Sequence, residues 1–209
     1  MERLNRRIAI RVGIALGGAV LVASAAASIA LAQPGPYFAL GQILRGAQHP
    51  NEAAVATVDG VSITSGDIQF YQGLAQLNNS VTSQPIAATP KAALDAAVRV
   101  VAVSNKAIAQ GIRPSDSEIN AYIASNREAF TGHAGAQLDD FLAGLQQTRD
   151  QFFSSAYTRA GYARALAITK LRAKVTSGMT AQQALAQWQQ FESDAVASAR
   201  VVILDPAFR

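Results

Sequence analysis

Side chains able to carry out chemistry are sparse in this 209-residue chain, which has two histidines, His49 and His133, and no cysteine. Two widely separated imidazoles without a thiol provide no metal-ligand spacing and no Ser/His or Cys/His hydrolase arrangement, so neither a metal nor another cofactor is expected. Asp139 and Asp140 are a candidate carboxylate pair. Adjacent helical positions diverge by about 100°, however, and no partner acid or base accompanies them. They read as a solvated helix start. His133, between Gly132 and Ala134-Gly135, reads as part of a solvent-facing connection, and Asn78-Asn79-Ser80 as a chance match to a glycosylation acceptor. The chemistry expected of this chain is binding, not catalysis.

Charge narrows the kind of binding. Of 18 basic and 14 acidic residues, four arginines (Arg3, Arg6, Arg7, Arg11) and Glu2 lie in the first 11 positions, leaving 14 against 13 in the rest. A body so nearly neutral is no trap for phosphates, and no nucleic-acid partner is expected. The basic flank 1–11 is followed by 12–32, 21 residues without a charge. At about 1.5 Å per residue that run just spans a bilayer core. Its basic side is expected to stay cytoplasmic, making it a transmembrane anchor that delivers the rest of the chain outside the cell membrane. The alternative is a signal peptide cleaved near Ala32, after Ala30-Leu31-Ala32, with secreted or periplasmic release. Gly13 and Gly17 have GxxxG spacing, and Arg6-Arg7 reads as ordinary basic residues rather than a twin-arginine signal.

Next come the elements. Residues 33–52, with Pro34, Pro36, Pro50 and three glycines, read as a linker with at most a helical turn at Ile43-Leu44. The runs 55–58 and 61–63 are β-prone and separated by Asp59-Gly60, the dipeptide of a two-residue hairpin. Beyond them Thr64/Asp67, Ser115/Glu118, Thr148/Gln151 and Thr180/Gln183 have capping-box spacing, and Thr89-Pro90 adds a fifth helix start. Gly111 and Pro114 mark a helix end. Apolar residues recur at helical spacing as Leu94, Val98, Val101, Ile108, then as Ile119, Tyr122, Ile123, Phe130. A long helix over 149–175 carries Phe153, Tyr157, Ala160, Ala163, Ala167 and Leu171, and a last one over 181–197 carries Leu185, Trp188, Phe191 and Ala195. Trp188 lies on its stripe and is expected in the core. The β-branched run 200–204 must pair with the hairpin, since no other strand is available, so the ends of the domain should meet.

The order of these parts resembles the exported chaperone domains of the SurA/PrsA type. VATVDGVSITSGD at 55–67 is similar to the run that enters the first helix of that family, and 107–119 to its A-x-x-x-G-I-x-P/V-S-D-x-E-I stretch. The end of the long helix, Ala167-Ile168-Thr169-Lys170-Leu171-Arg172, and the Trp188 helix with its closing strand continue the likeness over about 53–205. Family members usually carry a parvulin prolyl isomerase domain between the last two helices, where this chain has only Thr176, Ser177, Gly178 and Met179. Val98 to Val103 also departs from the acidic and long aliphatic residues common there. The resemblance implies a mainly α, SurA-N-like domain over 53–209, with a small β-hairpin joined by the C-terminal strand, behind an N-terminal signal-anchor helix. It implies a holding chaperone for unfolded exported proteins or peptides, without isomerase activity. An envelope scaffold binding one dedicated partner through the same helical cradle is the alternative, and oligomeric state is left open. A chaperone needs apolar surface that a monomer would otherwise bury. The aromatic residues expected off the main stripes, and so at a substrate groove, are Phe70, Tyr71, Phe141, Phe152 and Tyr162, because Phe152 and Phe153 cannot both centre one stripe.

Overall fold

The computed structural model describes residues 35–48, 53–83, 85–133 and 135–208. The expected anchor over 12–32 and its basic flank lie outside the described residues. No helix among those described is long and apolar enough to cross a membrane. The fold is mainly helical with a small three-stranded antiparallel sheet. Eight helices are described, α1 (Pro36–Ala47), α2 (Ser65–Val81), α3 (Pro90–Ala109), α4 (Asp116–His133), α5 (Gly135–Leu145), α6 (Arg149–Ser154), α7 (Ala156–Val175) and α8 (Ala181–Ala197). The strands are β1 (Ala54–Val58), β2 (Val61–Thr64) and β3 (Val201–Ile203), in the order β2-β1-β3.

The hairpin forms as its turn residues require. Asp59 (φ 52°) and Gly60 (φ 84°) take the left-handed conformations of a two-residue turn, and Val58 pairs with Val61. β3 joins the other side of β1, with Ala56 opposite Ile203 and Val58 opposite Val201. The two ends of the domain therefore meet. All five helix starts carry their caps. At Thr64, Thr148 and Thr180 the hydroxyl accepts from the third helical N–H while that residue's side chain accepts from the cap N–H. Ser115 and Glu118 make the same exchange, and Thr89 caps Ala92 ahead of Pro90. At the end of α3, Gly111 at φ 73° donates to Ile108 O while Ile112 donates to Ala107 O, the paired bonds of a Schellman stop.

Four expectations about the elements are corrected. Residues 36–47 are not a linker but helix α1, with Leu40 and Leu44 fully buried. α1 crosses α5 at two glycines. A Cβ at Gly41 would stand 2.0 Å from Phe141 O, and one at Gly144 would stand 2.0 Å from Phe38 O. The backbones touch because neither residue has a side chain, a packing contribution that hydrophobic periodicity does not register. Second, 149–175 is two helices. Ser155 leaves α6 in an extended conformation (φ -66°, ψ 144°) and caps α7 through its hydroxyl to Thr158 N–H. Third, Asp139 and Asp140 lie inside α5, and Asp139 accepts from Nε and Nη2 of Arg149 of α6 at 2.7 to 2.9 Å. His133, placed in a connection, is the last residue of α4.

Two apolar clusters result. One gathers α1, α5 and α6 with Phe70 and Leu77 of α2, Phe130 of α4 and Tyr162 of α7. The other packs the sheet against α3, Ala167 and Leu171 of α7, and Trp188 and Ala195 of α8. Trp188 is buried as expected, stacked on Phe191 at 5.5 Å under the Arg172 guanidinium. Helix α7 contributes to both clusters.

Candidate functional site

Four of the five expected groove aromatics are core residues. Phe152 and Tyr162 have no exposed surface, and Phe70 and Phe141 are almost as deep. For Phe152 the break at Ser155 is the physical reason, and for Phe70, Phe141 and Tyr162 it is the cluster that α1, α2, α5 and α6 build around them. In one continuous helix Phe152 would stand off the stripe marked by Phe153, but the short, separately oriented α6 turns both rings inward. Phe152 meets Phe141 edge-on at 5.7 Å and Phe153 at 5.1 Å, while Phe153 stacks on Tyr162 at 6.4 Å. The Tyr162 hydroxyl is buried with no hydrogen-bond partner among the described residues, and burial holds its pKa well above the usual phenol value. Tyr71, half-buried, walls two cavities on either side of it, and the buried Phe70 reaches the lining of one of them.

The open space lies along β2. A cavity of about 410 Å³ is bounded by Val61, by Val101, Ser104, Asn105 and Ile108 of α3, by Ile112, Arg113 and Pro114 of the α3–α4 turn, and by Ala163, Arg164 and Ala167 of α7. A second, of about 190 Å³, shares Val61, Val101 and Arg164 with it and continues past Ser62, Asp67 and Tyr71 to Tyr157, Ala160 and Gly161. Together they form a groove between the edge of the sheet and α7. Ile108, expected on the buried face of its helix, is 46% exposed here, and Val61 is 40% exposed. Small residues of α7 keep that wall low. A third cavity, about 560 Å³, lies on the far side of Tyr71 between α2, α3 and the 85–88 segment. Asn79 holds that segment by exchanging two hydrogen bonds with the backbone of Ile86, at 2.7 and 2.9 Å.

Among the described residues, no strand pairs with the outer edge of β2, which walls the groove. Thr57 lies opposite both Ser62 and Val202, and the flanking bonds from Asp59 N to Arg200 O and from Leu204 N to Val55 O place its backbone in the β3 ladder. Alternation along an antiparallel strand then turns the Ser62 N–H and C=O away from β1, on the groove side of the sheet. Such an edge is a template for another extended chain.

Electrostatically the groove is mixed. Asp67 is occupied as a cap, its Oδ2 accepting from the Thr64 N–H at 2.9 Å and hydroxyl at 3.0 Å. Burial pushes the Tyr71 hydroxyl well above the ordinary phenol pKa, a shift opposed by the nearby Arg164 charge. Among the described residues, no cluster of three or more His, Cys, Asp or Glu side chains is gathered that could hold a metal ion. The features sequence reading missed are Val61, Ile108, Arg113 and Arg164. Their one signal was the Gly111 to Pro114 turn, which carries Ile112 and Arg113 to the end of the groove.

Comparison of the chain with protein-family models, with curated proteins and with solved structures finds no match.

Proposed function

We propose that this protein is an extracytoplasmic holding chaperone that captures extended segments of unfolded exported proteins, without prolyl isomerase activity. The observation that carries this reading is the apolar groove beside the outer edge of β2, where the Ser62 N–H and C=O point away from β1 and, among the described residues, meet no paired strand. A segment laid there would add a strand through main-chain bonds common to all sequences, and place alternate side chains against Val61, Ile108 and Ile112. Capture of this kind needs no fixed client sequence. The SurA/PrsA-like order of motifs agrees with it, and so does an apolar run at 12–32 that would hold the domain outside the membrane. The turn between α7 and α8, only five residues from Thr176 to Thr180, leaves no inserted isomerase domain.

The test is an aggregation assay with the purified full chain and several chemically unfolded envelope proteins. Suppression should be stoichiometric and independent of ATP. Ser62→Pro removes the edge N–H at a position where proline is tolerated, and Ile108→Glu charges the groove wall. Each should weaken capture while leaving helix content intact. Tight binding to one folded envelope partner, with no effect on unfolded clients, would replace this reading with the scaffold one.

A further inference from the structure

Arg164 differs from the other basic residues of α7 in being at once half-buried and part of the groove lining. On α7, Arg159 pairs with Asp116 and Lys170 with Glu118, both of α4, and Arg172 lies over the Trp188 ring. Nearby, Arg127 pairs with Asp150 and Arg149 with Asp139. Arg164 stands between Arg159 and Lys170 in sequence but faces the other way, into the groove, and lines both of its halves. It is half-buried, and neither it nor Arg113 forms an ion pair among the described residues. Arg113 lines the same half of the groove as Arg164.

We infer that the groove prefers extended apolar segments carrying an acidic side chain, whose carboxylate is held by Arg164 and Arg113. This inference rests on the reading of the groove as a client site. Arg164, half-buried at an apolar wall, carries a charge that water solvates only in part, and a carboxylate entering between it and the exposed Arg113 replaces that water with charge-assisted hydrogen bonds. From Tyr157 to Ala167 the α7 wall runs for about 15 Å, the length of four to five extended residues. Arg164 lies about 4.5 Å short of the Ala167 end of that length, and the cavity continues beside it to Ile112 and Pro114. The fit is therefore to an acidic residue within a segment, flanked by apolar ones, and not to a chain terminus. Asp67, at the Tyr71 end, sets the polarity, since it repels a carboxylate placed there.

The experiment uses the full chain in nanodiscs of zwitterionic lipid and three fluorescein-labelled nine-residue peptides of alternating valine and threonine, read by fluorescence anisotropy. Two are capped at both ends, with Glu or Gln at the centre. The third has Gln at the centre and a free terminal carboxylate. The Glu peptide should bind about tenfold more tightly than its capped Gln partner, the scale of one charge-assisted contact at a partly buried site, and the difference should shrink with added salt. Arg113→Gln with Arg164→Gln should bring the Glu peptide to the affinity of the capped Gln peptide. Lys174→Gln, an exposed charge on the same helix, should preserve the difference. Equal binding of the two capped peptides, or a difference surviving in the double variant, overturns the carboxylate preference and leaves segment capture standing. A free-terminus peptide matching the Glu peptide overturns the choice of an internal acid. If no peptide binds, the groove reading falls together with the inference.

Discussion

Asp59 joins three parts of the molecule through one side chain. It takes the left-handed conformation of the hairpin turn, its Oδ1 accepts from Arg200 N–H at 2.8 Å, and its Oδ2 faces Asn105 of α3 at 3.4 Å. Asp59→Ala should cost about 1 to 2 kcal/mol, from a lost hydrogen bond and a side chain unsuited to positive φ. Asp59→Asn keeps both the conformation and an acceptor oxygen and should be near neutral. Urea unfolding of the two variants checks the contrast. Glu118 is the other residue whose surroundings set a measurable property. Its hydrogen bond to Lys170, then those from the Ser115 N–H and hydroxyl, hold its carboxyl down from 4.5 to about 2. Because the folded value is the lower one, the stabilisation is present above pH 4.5 and is lost as pH falls from there towards 2. Carbon-detected NMR titration should find Glu118 still ionised at pH 3, and Lys170→Met should move its midpoint upward.

At the scale of elements, α1 and α5 show how an interface can be specified by what is missing. Alanine for glycine in a helix interior ordinarily gains about 0.5 to 1 kcal/mol. Gly41→Ala should do the opposite and cost about 3 kcal/mol, because its methyl would meet the Phe141 carbonyl and the two helices would have to part. Gly46→Ala, on the same helix with nothing within 4 Å of the added carbon, should keep the ordinary gain. Thermal unfolding of the pair gives opposite signs if the crossing is as described. The helix starts were legible in sequence because a capping box is a local exchange between residues three apart, as at Thr64 and Asp67. The α6–α7 break was less so. Ser155 with Thr158 is half a box, and the apolar residues on either side continue a plausible stripe across it.

For the whole molecule, the boundary of the domain moves from 53 back to 36. Leu44 is fully buried in the first cluster, so Leu44→Ala should cost about 2 to 5 kcal/mol, where a linker residue would cost almost nothing. The double change of Phe152 and Tyr162 to Ser should abolish cooperative unfolding rather than weaken client capture alone, because both rings are core. Near-UV circular dichroism with a thermal melt reads both variants. The groove opens beside the second cluster and shares Val101 and Ala167 with it. It lies where β2, α3 and α7 fail to close on one another, which is a property of three elements distant in sequence.

Local chemistry in the sequence determined the hairpin with its Asp59-Gly60 turn, five capped helix starts, the Gly111 stop, the buried Trp188 and the return of the last strand to the first. Each depends on residues a few positions apart, or on a strand having only one place to pair. The tertiary structure alone decided which apolar residues were left over. Ile108 shares a helical stripe with Val101 but is exposed, because it lines the cavity left between α3, the α3–α4 turn and α7, whereas Phe152 is buried because α6 turns independently of α7. Periodicity reports that a face is apolar. Whether another element arrives to cover it is settled by crossings such as that of Gly41 and Gly144, where backbone approaches backbone and no side-chain pattern marks the contact.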